Sequence, residues 1–181
     1  MSIRWAVLDD AERMAEVHVA AWQAAYRGLL DDGLLEGFHV QARAVIWREV
    51  LSQSDRNALV AVEAGRVVGF IHFIEMLDTD GGNRGSGEVT SIYVDPPRWR
   101  RGYGGELLSG ALAELRTRRC VEANLWVFEA NGPARRFYET HGFNPDGGRK
   151  THPASGLPEI RYRKNLAESA GVSWIGRMRS R

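Results

Sequence analysis

The chain has 181 residues, the length of a single domain that can bury a core without disulfides or metals. Its formal net charge is +1 at pH 7, so the molecule as a whole has no charge bias toward nucleic acid or membranes. The single cysteine, Cys120, excludes an internal disulfide and a cluster of cysteine metal ligands, and we expect no metal site. The sequence shows no signal-like N-terminus and no run of about 20 apolar residues, so we expect a cytoplasmic protein.

Outside its central segment the chain alternates helix and strand patterns. Asp9 and Glu12 form a capping box, which predicts a helix that runs to about Tyr26. On its apolar side His18 is expected to be a hydrogen-bonded structural residue, and Trp22 and Tyr26 are assigned to the core ahead of a substrate pocket. Further strands are predicted at residues 3–7, 58–63, 67–75, 121–128, 143–150 and 159–165, and further helices at 41–51 and 134–141.

The pattern of the central segment, residues 88–108, predicts a strand that ends at two prolines, followed by a glycine-rich turn and the start of a helix. Aromatic and β-branched residues favour a strand over residues 88–94, and two prolines end it. The next helix would direct its free N–H groups and its positive dipole end at the glycines, which makes the turn an anion site. The glycines are Gly102, Gly104 and Gly105, and the nearby arginines are Arg98, Arg100 and Arg101.

Two better-known phosphate loops do not match this turn. A P-loop requires Gly-Lys followed by Ser or Thr, and the chain contains no Gly-Lys pair. The dinucleotide pattern requires a glycine at the position of Leu107. Taken alone, the turn is equally well explained as a tight strand-to-helix connection with solvated arginines.

A second motif lies at residues 131–143, with the spacing N-x-x-A-x-x-x-Y-x-x-x-G-F. Together with the glycine turn, it resembles the GNAT superfamily of acetyl-coenzyme A dependent N-acetyltransferases. In the first motif of that family, Gln/Arg-x-x-Gly-x-Gly/Ala, Gly102 and Gly104 match, and Trp99 stands where Gln or Arg is usual. The second motif is complete at Asn131, Ala134, Tyr138, Gly142 and Phe143.

The resemblance covers residues 3 to about 166 and implies an α/β (α+β) fold of the GNAT type. That fold is a single mixed, mostly antiparallel sheet of about six to seven strands with about four helices packed on both faces. Residues 1–166 would form the acetyltransferase domain, and 167–181 a tail expected to be flexible. Acetyl-CoA would be the co-substrate, with no metal, and a small-molecule or peptide amine the acceptor. We expect no nucleic-acid or membrane partner, and a monomer or homodimer.

The resemblance also assigns roles to residues. Tyr138 would be the general acid for the leaving thiolate, and Glu88 the candidate base, with an ordinary surface glutamate as the equal alternative. A backbone N–H near Tyr93 or Val94 would meet the developing oxyanion, and Ile92 and Val94 would pair with the pantetheine arm. The predicted cofactor-binding residues are Ile92, Tyr93, Val94, Arg100, Arg101, Gly102, Tyr103, Gly104, Gly105, Asn131, Ala134 and Arg135.

Two other functions and the acceptor stay open at this stage. A non-catalytic acyl-CoA sensor is the main alternative, which a Phe or Leu at position 138 would have favoured. A nucleic-acid binder is weaker, because the arginines are scattered and balanced by acids. The acceptor pocket is expected at residues 26–51 and 144–158, and the glycine-rich loop 78–87 is expected to be mobile beside it. Small amines, amino acids, aminoglycoside-like compounds and protein amines all fit the sequence.

Overall fold

A computed structural model of the chain describes residues 1–53, 55–76 and 85–167. Its strands are β1 (Ser2–Trp5), β2 (Ala58–Glu63), β3 (Arg66–Met76), β4 (Ser86–Val94), β5 (Glu122–Phe128), β6 (Asn144–Thr151) and β7 (Pro158–Asn165). Its α-helices are α1 (Ala11–Tyr26), α2 (Asp32–Glu36), α3 (Val40–Ser52), α4 (Tyr103–Thr117) and α5 (Gly132–Thr140).

The strands form one sheet in the order β1-β2-β3-β4-β5-β7-β6. Neighbouring strands are antiparallel except β4 and β5, which run parallel. The parallel pair is possible because α4 supplies the crossover between its two strands. The predicted mixed, mostly antiparallel sheet with helices on both faces is confirmed.

Each face of the sheet has its own core. One core lies between the sheet and helices α4 and α5. It contains Leu107 and Leu108 of α4 and Phe143, all fully buried. The opposite face packs against α1 and α3, through residues such as Met14 and Trp47. Burial of a side chain of this size stabilises the fold by roughly 1.5–3 kcal/mol. The two cores thereby fix α1 and α4 on opposite sides of β4, the strand that carries the central motif.

The predicted capping box at the start of α1 is wrong. The carboxylate that accepts a backbone hydrogen bond belongs to Asp10, whose Oδ2 receives the N–H of Val7 at 2.9 Å. Arg4 on β1 donates to both oxygens of Asp10, at 2.7 and 2.9 Å. Burial would raise the pKa of Asp10, yet these bonds to Arg4 and Val7 hold that pKa below its usual value. The Asp10 side chain therefore closes the turn that precedes α1, and it makes no capping hydrogen bond to α1 itself.

Other element boundaries differ from the predictions in a few places. The five-residue helix α2 was not predicted; it begins where the Asp31 side chain accepts the N–H of Gly33 at 2.9 Å. The end of the predicted loop 78–87 belongs instead to β4, which begins at Ser86. The rest of that loop, and the predicted tail beyond Ala167, lie outside the described residues. Over the described ranges, no helix has both the length and the apolar composition needed to cross a membrane.

Candidate active site

The site begins where β4 and β5 separate. Their pairing ends at Val89 and Leu125, although β4 continues to Val94. The N–H of Asp95 donates to the carbonyl of Val68 on the β3 side, at 2.8 Å. Because alternate residues of an antiparallel strand direct their backbone groups to opposite sides, Ile92 and Val94 direct theirs toward β5. Tyr93 directs its backbone groups toward β3, so its N–H is not free for the developing oxyanion.

A cavity of about 790 Å³ fills this separation. Its walls come from α1, β4, the glycine turn, β5, α5 and the end of the β6–β7 hairpin. Predicted site residues on the wall are Ile92, Tyr93, Val94, Arg100, Gly102, Tyr103, Gly104, Gly105, Asn131, Ala134 and Tyr138. The structure thus brings the two sequence motifs to opposite walls of one cavity.

The glycine turn forms one end of the cavity. Gly102 has φ +87°, a left-handed conformation that favours glycine, and α4 begins at the next residue. The first hydrogen bond of the helix runs from the N–H of Glu106 to the carbonyl of Gly102, so the N–H groups of the first turn have no partner within the helix. Arg100 lies beside them and has no ion-pair partner among the described residues. Free amides and an unpaired guanidinium are the groups that hold a diphosphate.

Gly104 and Gly105 serve the packing of α4 against α5. A Cβ added at Gly104 would lie 3.3 Å from the ring of Phe137, and one at Gly105 would lie 3.1 Å from Nε2 of His141. From the sequence, these glycines were assigned to the anion site. The structure shows that they also admit the rings of Phe137 in α5 and of His141 directly after it, which brings α5 close to the anion end of the cavity.

A polar network braces the glycine turn from behind. Arg98 donates to Glu63 at 2.7 Å and to Asp95 at 3.4 Å, and the Tyr103 hydroxyl donates to the same Glu63 carboxylate. Arg13 of α1 donates to Asp95 at 2.7 Å. The side chains of Arg98 and Tyr103 are therefore engaged by carboxylates, and only the backbone of Tyr103 is free to contact a ligand.

Trp99 occupies the position at which the family usually has Gln or Arg. Its indole Nε1 donates to the carbonyl of Val94 at 2.6 Å. This bond uses the Val94 carbonyl, which was expected to pair with the pantetheine arm. The N–H of Val94 and both backbone groups of Ile92 remain free for a ligand on that edge of β4. The indole holds the end of β4 against the glycine turn.

The start of α5 forms the opposite wall. Asn131 is buried, and its side-chain oxygen accepts the N–H of Ala134 at 3.1 Å, as expected for an N-cap. Its amide nitrogen lies 3.4 Å from the Tyr26 hydroxyl. Arg135 lies outside the cavity wall, because its guanidinium donates to the Glu129 carbonyl at 3.1 Å and to the Tyr162 hydroxyl at 3.2 Å. Arg101 also lies outside the wall.

Tyr138 places a phenol in the cavity. Its ring is buried beside Phe143 and Tyr162, with ring centroids 6.1 and 6.5 Å away. No group in the described part of the chain hydrogen-bonds its hydroxyl. Burial raises the pKa of Tyr138, with a further increase from nearby Tyr26, so the phenol keeps its proton at neutral pH. A phenol of this kind is a hydrogen-bond donor without a protein acceptor.

Glu88 lies one residue before the part of β4 that lines the cavity. It projects from the sheet face opposite α4, since its neighbour Val89 packs in the core beneath that helix. Burial raises the pKa of Glu88; Lys150 opposes this shift, Glu159 adds to it and Arg161 opposes it. Within the described ranges Glu88 forms no hydrogen bond or ion pair. It is a half-buried carboxylate without a partner on the central strand.

The other half of the cavity is an aromatic wall, of which the sequence offered only Trp22 and Tyr26 as pocket residues, ranked behind an assignment to the core. Trp22 and Tyr26 line it and are not residues of the closed core, with ring centroids 4.5 Å apart. Phe128 lies 5.1 Å from Tyr26 and 5.1 Å from His152 of the hairpin loop. Glu159 of β7 completes this half. These residues are far apart in sequence, so only tertiary packing brings them together.

Two histidines near this wall are structural. His18 is buried behind it, accepts the Trp47 indole N–H at 3.3 Å and stacks on Tyr93, as predicted for a structural histidine. Burial lowers the pKa of His18 to about 3, and the Arg43 charge adds to this shift. At His152, Nδ1 lies 2.9 Å from the Ser155 hydroxyl oxygen and 3.3 Å from the Ser155 backbone nitrogen, and these contacts hold the ring in the hairpin loop. The neutral His18 ring, whose Nδ1 accepts the Trp47 N–H, has no free lone pair with which to deprotonate an amine.

Comparisons with known proteins agree with this geometry. The sequence profile of the Acetyltransferase (GNAT) family matches residues 19–143. The Probable N-acetyltransferase Rv2775 of Mycobacterium tuberculosis is 29% identical over 169 residues, which cover 89% of this chain and 91% of that protein. An uncharacterised N-acetyltransferase of Archaeoglobus fulgidus is 30% identical over 149 residues, covering 82% and 97% of the two chains. The crystal structure of PaiA N-acetyltransferase from Thermoplasma acidophilum in complex with coenzyme A superposes with a TM-score of 0.70 at 21% identity, covering 91% of this chain and 98% of that one.

Proposed function

Because the chain belongs to the GNAT family of acetyltransferases and is an acetyl-CoA dependent N-acetyltransferase, we propose that it acetylates a primary amine by direct attack while both substrates are bound. One observation carries this proposal. The Tyr138 hydroxyl has no acceptor in the described part of the chain, and it lines the opening between β4 and β5 together with the first turn of α4. A donor placed there can reach the sulfur of a thioester whose diphosphate lies on that turn.

The residues present fit acetyl-CoA. The free amides of the first turn of α4, with Arg100, would hold the diphosphate, and the N–H of Val94 with the carbonyl of Ile92 would pair with the pantetheine arm. When bound, acetyl-CoA supplies an activated acetyl group and a thiol leaving group. Asn131 and Ala134 would border the arm on the side of α5.

Glu88 is proposed as the base for the incoming ammonium. An alkylamine with a pKa near ~10.4 is neutral in about one molecule in 2,500 at pH 7, which corresponds to roughly 4.6 kcal/mol. A carboxylate that is half-buried and unpaired in the described part of the chain is a better base than an exposed one, because burial raises its pKa toward neutrality. One water molecule between Glu88 and the amine would relay the proton.

Tyr138 is proposed as the acid for the leaving thiolate. The N–H of Ile92 is the backbone donor that can meet the charge developing on the acyl oxygen, because it faces the opening and lies farther from the glycine turn than Val94. A covalent acetyl-enzyme is not supported. Cys120 is buried outside the cavity wall, and burial raises the pKa of its thiol.

The proposal is tested by measuring acetyl-CoA binding by calorimetry and amine-dependent thiol release, in the parent protein and in Tyr138→Phe. We expect Tyr138→Phe to bind acetyl-CoA with nearly unchanged affinity and to lose about 10²-fold in kcat, since only the proton donor is removed. Tyr162→Phe is the matched control, because Tyr162 is a buried tyrosine outside the cavity that donates to Glu139 at 2.7 Å. This control should lose about 1 kcal/mol of stability and keep its kcat.

The same measurements distinguish the proposed enzyme from a non-catalytic acyl-CoA sensor. Binding of acetyl-CoA without thiol release on any amine would favour a non-catalytic acyl-CoA module. An unchanged kcat in Tyr138→Phe would remove this residue from the mechanism while leaving the enzyme assignment intact.

A further inference from the structure

We propose that the acceptor is an arylalkylamine, a primary amine on a short alkyl chain that ends in an aromatic ring and carries no second charge. This inference rests on the proposed function and names the substrate class of the same site. It is drawn from the half of the cavity that the acetyl-CoA machinery does not use.

The first argument is the composition of that half. Trp22 and Tyr26 of α1, Phe128 of β5 and His152 of the hairpin loop surround one space with ring side chains. The planes of Tyr26 and Phe128 are nearly perpendicular, at 87°, and those of Phe128 and His152 are inclined at 76°. Phe38 stacks on one face of Trp22, at 4.9 Å and 10°. The other face of the indole and the edge-to-face pair of Tyr26 and Phe128 remain for a further ring, in the arrangement that aromatic groups prefer.

The second argument is the number of carboxylates. Among the described residues on the cavity wall, Glu159 is the one carboxylate, and it is largely buried, with 12% of its side chain exposed. Glu88, the proposed base, lies on the same side of the sheet. Because Lys150 already lies 3.5 Å from Glu159, these two acids can neutralise at most one ammonium group that approaches the thioester, and the rings offer their faces to the same cation.

The third argument is the arrangement of cations at the edge of the aromatic half. Lys150 lies 4.3 Å and Arg161 5.6 Å from the ring of Trp126, which is itself on the cavity wall. Lys150 also lies 3.5 Å from Glu159. The additional ammonium groups of a polyamine or aminoglycoside would meet these cations, at an electrostatic cost. A carboxylate next to the amine would lie against Glu88 and Glu159, which disfavours free amino acids.

The experiment compares amines by thiol release from acetyl-CoA. The panel is 2-phenylethylamine, hexylamine, phenylalanine and spermidine, which differ in the ring, in an added carboxylate and in added amines. We expect kcat/KM for 2-phenylethylamine to exceed that for each of the others by about tenfold or more. Calorimetry should show 2-phenylethylamine binding to the coenzyme A-saturated protein more tightly than hexylamine.

Trp22→Leu tests the wall directly. This variant should lower kcat/KM for 2-phenylethylamine by about tenfold and leave hexylamine nearly unchanged, with the KM for acetyl-CoA unaltered. Trp5→Leu is the matched control, because Trp5 lies at the far edge of the sheet, where its ring centroid is 6.3 Å from that of Phe73. This variant should leave kcat/KM unchanged for both amines.

The outcomes separate the two proposals. Thiol release with a preference for spermidine, phenylalanine or hexylamine overturns the arylalkylamine inference and leaves the proposed function standing. Absence of acetyl-CoA binding, or binding without thiol release on any amine, overturns the proposed function instead.

Discussion

Glu88 illustrates how much depends on the surroundings of one side chain. In sequence it is a glutamate at the start of a strand, with equal claims to be a base or a surface residue. The structure places it half-buried on the central strand, without a hydrogen bond or ion pair among the described residues. Burial then raises its pKa, which suits a group that must accept a proton from an ammonium.

Replacement of Glu88 by glutamine tests this role through the pH dependence of the rate. The parent enzyme should lose kcat/KM toward acid pH as Glu88 becomes protonated, with the midpoint above the usual range of a glutamate because the pKa is raised. Glu88→Gln should lose about 10²-fold in kcat/KM at neutral pH and lack this acid limb. Glu122→Gln is the control, since Glu122 lies on the neighbouring strand and pairs with Arg163 at 3.2 Å. A Glu88→Gln profile that overlays the parent would exclude the base role.

His18 leads to a second prediction, on stability. The folded protein keeps His18 neutral, with a pKa of about 3, whereas the unfolded chain protonates it near ~6.5. Between these values the unfolded state binds more protons, so stability is lost as the pH falls below about 6.5. From pH 7 to pH 5, this residue alone should lower the free energy of unfolding by about 2 kcal/mol.

Denaturant unfolding of His18→Gln at both pH values checks this. Glutamine retains a neutral acceptor for the Trp47 indole N–H, so the variant should fold and show a pH effect smaller by about 2 kcal/mol. His39→Gln, at an exposed histidine, should behave like the parent. An unchanged pH effect in His18→Gln would mean that His18 does not account for the acid sensitivity.

At the scale of elements, the glycine turn is held by carboxylates that lie behind it. Glu63 of β2 accepts hydrogen bonds from Arg98 and Tyr103, on either side of Gly102. Glu63→Gln should weaken both hydrogen bonds. The free N–H groups at the start of α4 would then no longer be held in the single arrangement that binds the diphosphate. We expect the KM for acetyl-CoA to rise about threefold to tenfold, with a smaller change in kcat. Steady-state kinetics measures this change in KM. Glu12→Gln is the control, because Glu12 forms an exposed ion pair with Arg48. Equal KM values for the two variants would show that the hydrogen bonds of Glu63 are dispensable for acetyl-CoA binding.

The elements also show what a sequence can predict. Strand β2 begins and ends where the alternating pattern predicts, and both motifs lie on the walls of one cavity. These features are predictable because β-branched runs, prolines and glycines determine the conformation of the backbone next to them. The sequence does not reveal in which direction a side chain points, and this decides that Asp10 bonds to Val7 and Arg4 and that Trp99 bonds to the Val94 carbonyl. Arg135 leaves the cavity wall because of Tyr162, a partner distant in sequence. The aromatic wall was missed for the same reason, since Trp22, Phe128 and His152 meet only after α1 and the hairpin pack on the sheet.

On the scale of the whole molecule, the cavity lies between helices that belong to opposite faces of the sheet. A ligand that fills it connects α1, β4, β5 and α5, so its binding energy should add to the stability of the complete domain. At a concentration of 100 times its Kd, acetyl-CoA should stabilise the fold by about 2.7 kcal/mol and raise Tm by roughly 5–10 °C.

Differential scanning calorimetry with increasing acetyl-CoA measures this shift. S-acetylpantetheine, which lacks the diphosphate, is the matched ligand control and should give a much smaller shift at the same concentration, since it leaves the amides of α4 and Arg100 unused. Equal shifts with both ligands would show that the glycine turn does not contribute to binding.

The separation of β4 from β5 has a consequence for solubility as well. Beyond Val89 the protein carries an unpaired strand edge, the kind of surface on which other chains add as strands and start aggregation. Here that edge faces an internal cavity between β5 and α5, where a slender extended group can enter and the edge of another folded sheet cannot. The unpaired edge of β4 is therefore accessible to the co-substrate, and other copies of the protein cannot add a strand to it.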